Sequence, residues 1–304
     1  MPLLALLLAA VTAHAPTAPT VRDDSLRARI ERRVAAVPGA VVGVAYRDLA
    51  PGAAGDSLDV NRDSVFHAAS TMKVPVMIEL VRQAESGALA LDQRILLVNQ
   101  FGSIVDGSPF SLDPGDDSDS AMYARIGERV PVRELMVRMI TRSSNLATNA
   151  VIALVGATRV DSLAHALGAT HMRVLRGVED DKAYQHGLNN ATTAADLAVL
   201  LEAIEGGHAA SPSGTTLMLD VLSRQEFNGE IPAGLPPGTR VAHKTGQITA
   251  VLHDAAIVYP AGRPPYVLVV LTRGIPDEKV ARALIADVSR MVYEHAVGSA
   301  AASR

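Results

Sequence analysis

Residues 239–272 read TRVAHKTGQITAVLHDAAIVYPAGRPPYVLVVLT. Three apolar, β-branched-rich runs, 240–244, 255–259 and 266–272, are separated here by turn chemistry, which predicts strands. Pro260-Ala261-Gly262-Arg263-Pro264-Pro265 joins the last two as a hairpin-like turn. Just beyond, residues 277–293 place Val280, Leu284, Ile285, Val288 and Met291 at helical spacing, so a helix closes the chain. At the other end, residues 24–37 carry a helical stripe of Leu26, Ile30 and Val34 that Pro38-Gly39 stops, and 41–46 is a short β-rich run. Between these ends the pattern is helical over 70–84, 131–141, 146–155, 158–167, 192–204 and 215–222, with Thr192 or Thr193 placed to cap the fifth of these. Residues 98–120, which hold Gly, Pro and Asp106, Asp113, Asp116, Asp117 and Asp119, interrupt the helices and read as a long, solvated surface loop. The expectation is an α+β fold of two lobes: one from residues 21–62 and 215–300 together, and an all-α lobe from 63–214 inserted between them.

The chain has 304 residues, 48% of them apolar, enough for two such units around a sizeable core. A net charge of −4 gives a nucleic-acid role no electrostatic support. Cysteine is absent, which excludes disulfides, thiolate metal ligands and a thiol nucleophile. No tryptophan and only 3% aromatics leave little for a base- or sugar-stacking platform. At the N-terminus an apolar run, 3–11, leads into Ala13-His14-Ala15, the pattern of a secretory signal peptide over residues 1–15. That run is too short to anchor the chain in a bilayer. Export to the periplasm or the medium is therefore expected, and a monomer is expected as well.

Three short motifs carry candidate chemistry. Ser70-Thr71-Met72-Lys73 opens a helix, so the hydroxyl and the amine lie one turn apart on one face. A serine is a weak nucleophile until a base takes its proton, and a lysine with a lowered pKa is such a base. Lysine is rare here: of 28 basic residues only Lys73, Lys182, Lys244 and Lys279 are Lys, and this is the chain's single Ser-x-x-Lys. Ser143-Ser144-Asn145 lies between two helices, where it reads either as a capping turn or as a hydroxyl and an amide aimed at a common point. Lys244-Thr245-Gly246 ends a β-rich run; glycine on an edge strand lets a substrate backbone approach and pair. The N–H groups of Ser70 and Gln247 are natural oxyanion donors beside it. The nine histidines include no His-x-x-x-His pair, which speaks against a zinc hydrolase; His243 and His253 read as packing or rim residues.

The three motifs in this order resemble the active-site set of class A β-lactamases and penicillin-binding proteins. The segments 229–246 and 254–260 resemble that family too, and the likeness covers nearly the whole mature chain. It implies a five-stranded antiparallel sheet flanked by helices, an all-α lobe and a site between them. It also implies acylation of Ser70 by a β-lactam, with Lys73 as base, Ser143 as proton relay, Asn145, Thr245 and Gly246 binding substrate, and Lys244 attracting its carboxylate. No cofactor or metal is needed. The deacylating base would be Glu179 on an Ω-shaped loop, with Asp180 and Asp181 as rival carboxylates and an ion pair to Arg176 as its bland alternative. The sequence departs from the family in two places. Ala183 stands where a water-holding Asn belongs, leaving Asn189 or Asn190 to fold back, and Ser144 stands where Asp is usual. Arg273 is the expected extra carboxylate contact. The departures keep two other functions open: a D-alanyl-D-alanine peptidase or esterase using the same acylation residues, and a sensor domain that acylates and stalls.

Overall fold

The computed structural model describes residues 24–51 and 56–302, so the expected signal peptide lies outside the described residues. Ser25 caps α1 (Leu26–Ala35), and the chain then runs through β1 (Val41–Asp48) and β2 (Ser57–Val60). A two-residue strand, β3 (Phe66–His67), precedes a 3-10 turn over Ala69–Met72 that continues into α2 (Lys73–Glu85). Next come β4 (Arg94–Leu96), β5 (Phe101–Gly102), β6 (Pro109–Phe110) and β7 (Arg129–Pro131). Helices α3 (Val132–Thr141), α4 (Asn145–Val155), α5 (Ala157–Ala166) and α6 (Asp181–Gln185) lead to β8 (Ala191–Thr192) and α7 (Ala194–Glu205). The chain finishes with α8 (Pro212–Ser223), β9 (Arg240–Ile248), β10 (Val251–Tyr259), β11 (Tyr266–Arg273) and α9 (Glu278–Ala302).

The five long strands form one antiparallel sheet in the order β2-β1-β11-β10-β9, so both chain ends build it. Its strands are apolar on both faces because both faces are covered. Val42, Val44, Leu268 and Val270 pack with Ile30 of α1 and Leu284, Ile285 and Val288 of α9. The alternate residues Ala45, Val267, Val269 and Leu271 join the core of the helical layer, with α2, α3, α4 and α7. Thr193 caps α7 in a reciprocal pair with Asp196. Among the described residues no single helix is long and apolar enough to cross a membrane.

The stretch read as helical also holds three two-stranded ladders, β3–β8, β4–β7 and β5–β6, each too short to show a periodicity in sequence. The acidic stretch 98–120 is exposed along most of its length, as a surface loop would be, yet it is pinned to the protein at several points. It carries the β5–β6 ladder, and Ser103, Asp117 and Asp119 on it are buried. Ser103 Oγ and the Ile104 N–H both donate to Asp180 at 2.9 Å, and Lys182 Nζ donates to Asp106 at 2.8 Å. Asp106, Asp117 and Asp119 are thus spent on protein donors, which composition alone does not reveal.

Candidate active site

The three motifs meet at the foot of the sheet. The 3-10 turn bearing Ser70 packs against β9, so Ser70 stands beside Lys244-Thr245-Gly246. Gly246 permits this approach: a Cβ there would lie 3.1 Å from Thr71 Cγ2 and 3.2 Å from the backbone nitrogens of Ser70 and Thr71. Backbone cannot give way as a flexible side chain can. Gly246→Ala is expected to push Ser70 out of register and lower kcat/KM by about 10- to 100-fold, since small misplacements cost that much. Steady-state kinetics with a melting curve on the same sample check this; unchanged kinetics would refute the close approach.

Lys73 Nζ, fully buried, donates to the Ser143 carbonyl at 2.6 Å, to Ser143 Oγ at 3.1 Å and to Asn145 Oδ1 at 2.9 Å. From the sheet side Lys244 Nζ donates to the same Ser143 Oγ at 3.0 Å and to its neighbour's carbonyl, Thr245 O, at 2.8 Å. Asn145 Nδ2 donates in turn to Glu179 Oε1 at 2.5 Å. One network therefore ties together residues from α2, the α3–α4 junction, β9 and the Ω-like loop.

The electrostatics of this network follow from burial. Burial lowers the Lys73 pKa to about 7, against the opposing pull of Asp117 and Glu179. Lys244 is pushed well down by burial and then by the charge of Lys73. Glu179 is pushed up, chiefly by burial and against its hydrogen bond from Asn145. Of the five non-glycine residues with positive φ among those described, Ala69 (45°), Ser143 (55°) and Glu179 (59°) sit at this network. Backbone strain of this kind persists where surrounding packing enforces a geometry.

Ser70, Asn145, Asp116 and Gln247 line both halves of the cleft. The half toward Thr245 has a volume of about 270 Å³ and is bounded by Ser143, Phe227, Glu230 and Arg282. The half toward the Ω-like loop has about 560 Å³ and is bounded by His67, Val178, Glu179, Tyr184 and Asn190.

Other expectations fare differently. Arg273 lines neither half: it donates to Val65 O at 2.8 Å and its guanidinium lies over the Phe66 ring. Two other arginines line the cleft: Arg176 on the side of the Ω-like loop, and on the Thr245 side Arg282 of α9, already paired with Glu230 and Glu278. Glu230 is buried, its Oε2 has no partner, and burial beside Asp254 raises its pKa to about 7. Neither Glu230 nor Arg282 has a motif that would have flagged it. Arg176 does not hold Glu179; its guanidinium donates to Leu188 O, Gly177 O and Asn189 Oδ1. Asn190 turns to the Arg176 backbone rather than to Glu179, its Oδ1 accepting from Leu175 and Arg176 and its Nδ2 donating to Arg176 O. Asp180 is the cap of α6, and Asp181 is exposed. His243 and His253 are buried in the sheet, His243 against Asp254 at 2.9 Å and His253 against the His67 carbonyl at 2.9 Å.

The sheet order, the helical layer and the cleft between them define an α+β hydrolase of the β-lactamase type. A family profile described as the β-lactamase enzyme family matches residues 25–296. A β-lactamase of Streptomyces albus G is 26% identical over 292 residues, spanning 93% of this chain and 90% of that protein. Among solved structures, PBP-A superposes with a TM-score of 0.76 at 28% identity, covering 90% of this chain and 96% of that one. A point mutant of PBP-A, solved as an acyl-enzyme complex with penicillin G, gives a TM-score of 0.75 at 30% identity over 89% and 95% of the two chains. The chain belongs to the β-lactamase enzyme family.

Proposed function

We propose that this protein opens the β-lactam ring through an acyl-enzyme on Ser70 and releases the product by hydrolysis assisted by Glu179. The observation that carries the reading is the hydrogen-bonded network from Lys244 through Ser143 and Lys73 to Asn145 and Glu179, which brings all three motifs and one carboxylate to the Ser70 cleft. Lys73, neutral above about pH 7, takes the Ser70 proton as Oγ attacks the lactam carbonyl. The N–H groups of Ser70 and Gln247 stabilise the oxyanion. The C–N bond breaks, and the ring nitrogen receives a proton through Ser143 Oγ, which lies within hydrogen-bond reach of both lysines. Thr245 and Lys244 receive the substrate carboxylate, Gly246 admits the substrate backbone, and Asn145 orients the acyl chain. Glu179 then takes a proton from water as it attacks the ester, and Ser70 recovers its own proton. The penicillin complex of the PBP-A mutant supports a β-lactam as ligand. We place the protein outside the cytoplasm, on the strength of the apolar run at 3–11.

One observation favours a second reading, a D-alanyl-D-alanine peptidase or a domain that acylates and stalls: Asn190 is spent on the Arg176 backbone, so Glu179 has Asn145 alone as its side-chain partner here. Intact-mass measurements over time with a penicillin decide between them. A Ser70 adduct that vanishes within minutes while hydrolysed drug accumulates is the expected result. An adduct lasting hours replaces the first reading by the second, and no adduct refutes both.

A further inference from the structure

We propose that Asp117, on the acidic segment 98–120, is a positioning residue of the reaction: it seats the start of α4, and with it Ser143 and Asn145, and sets a fixed negative charge facing Lys73. The proposal rests on the reading above that Lys73 takes the proton of Ser70.

The first N–H groups of a helix have no partner within it. In α4 these groups are closed from two separate segments. Ser144 Oγ accepts from Ala147 N at 3.2 Å, whereas Asp117 Oδ2 accepts from both Asn145 N and Leu146 N at 2.9 Å. A carboxylate at this end also meets the positive pole of the helix. Asp117 is itself fixed, 6% exposed: its Oδ2 accepts from Tyr123 OH at 3.1 Å and its Oδ1 from Asp119 N at 2.9 Å. Asp119, 2% exposed, is gripped by Arg138 at 3.0 Å and Arg142 at 3.5 Å, and Ser118 Oγ donates to Arg142 O at 2.6 Å. The segment is thus riveted to the end of α3, and Asp117 carries that rigidity to Asn145. Asn145 in turn spans Lys73 and Glu179, so a shift at Asp117 reaches both.

The charge has its own consequence. The ionisable groups facing Lys73 are Asp117 from the acidic segment, Glu179 from the Ω-like loop and Lys244 from β9. Burial opposes the ammonium form, and the two carboxylates favour it, Asp117 more than Glu179; the charge of Lys73 in turn helps to lower Lys244. Beside Asp117 stands Tyr123, whose hydroxyl is pushed up by burial and then by the Asp117 charge, with Glu179 and Asp113 adding to it.

The test is the rate of Ser70 acylation by a penicillin between pH 5.5 and 9, read by quenched-flow intact mass. In the unaltered protein the rate should rise with pH through a midpoint near 7, as Lys73 loses its proton. Asp117→Asn keeps an acceptor oxygen and removes the charge; its midpoint should fall by half a unit or more and its plateau by about 10-fold. Tyr123→Phe leaves the cap in place but strips a donor that shares the charge of Asp117. Its midpoint should move the other way, upward, and this variant keeps the test available if Asp117→Asn fails to fold. A merely structural cap would lower the melting temperature or the plateau and leave the midpoint in place. A midpoint unmoved in a folded variant overturns the proposal alone. A flat profile in the unaltered protein overturns the assignment of Lys73, and this inference with it.

Discussion

Ser70→Ala should form no covalent adduct with penicillin and should lose at least about 10⁴-fold in kcat, the scale seen when a nucleophile is removed from a covalent mechanism. The loss is expected to be chemical. Lys73, Ser143 and Lys244 are held by one another and by Asn145 and Thr245, so the network outlives the loss of the Ser70 hydroxyl. The 3-10 turn also stays docked, because the contact with Gly246 is made by the backbone at Ser70 and Thr71. The melting temperature should therefore move by only a few degrees, within the range for a change of about 1 kcal/mol. Binding of the intact antibiotic, measured calorimetrically, should persist while turnover disappears. Hydrolysis within 10-fold of the unaltered rate would refute the acyl-enzyme scheme altogether, since no alternative nucleophile is proposed.

Much of this site could be read before any coordinates. Ser70–Lys73 and Lys244–Gly246 are legible because the proposed covalent mechanism would fix residue type and local spacing together, and because lysine is scarce enough for both motifs to stand out. The strands β9, β10 and β11 and the closing helix are legible for a different reason: long apolar runs between Pro- and Gly-rich turns admit few other folds. The missing pieces depend on distant partners. Asp117 looks like any other acid in a run of aspartates; only its two hydrogen bonds to the start of α4 distinguish it. In sequence Arg273 is the expected carboxylate contact, and Arg282 has no motif to flag it. The strand direction sends the first to the Val65 carbonyl, and the helix face sends the second to the cleft. The short ladders such as β5–β6 have no periodicity to detect, since two residues do not make a pattern. Asn190 was a candidate water ligand only while the path of the chain was unknown; the hydrogen bonds to the Arg176 backbone settle where its amide goes.

Glu179→Gln should trap the acyl-enzyme. Glutamine matches glutamate in shape and keeps the oxygen that accepts from Asn145 Nδ2, so the tie from Glu179 to Asn145 and on to Lys73 survives. What it loses is the capacity to take a proton from water, and removal of a general base costs about 10²- to 10⁴-fold. Acylation and deacylation then separate. If Lys73 alone takes the Ser70 proton, adduct formation should stay within a few-fold of the unaltered rate while its breakdown slows by the full factor, and the Ser70 adduct becomes the dominant species by mass. If Glu179 also serves acylation, both rates fall together and no adduct accumulates, which would reassign the first proton transfer. The pH dependence gives an independent check on the sign. Glu179 acts as a base only when ionised, and burial raises its pKa, so deacylation in the unaltered protein should weaken as pH falls through a value above the ordinary carboxylate range. That acid limb should vanish in the Gln variant. Turnover left intact in Glu179→Gln would remove this carboxylate from the mechanism and leave the activation of the deacylating water to another group.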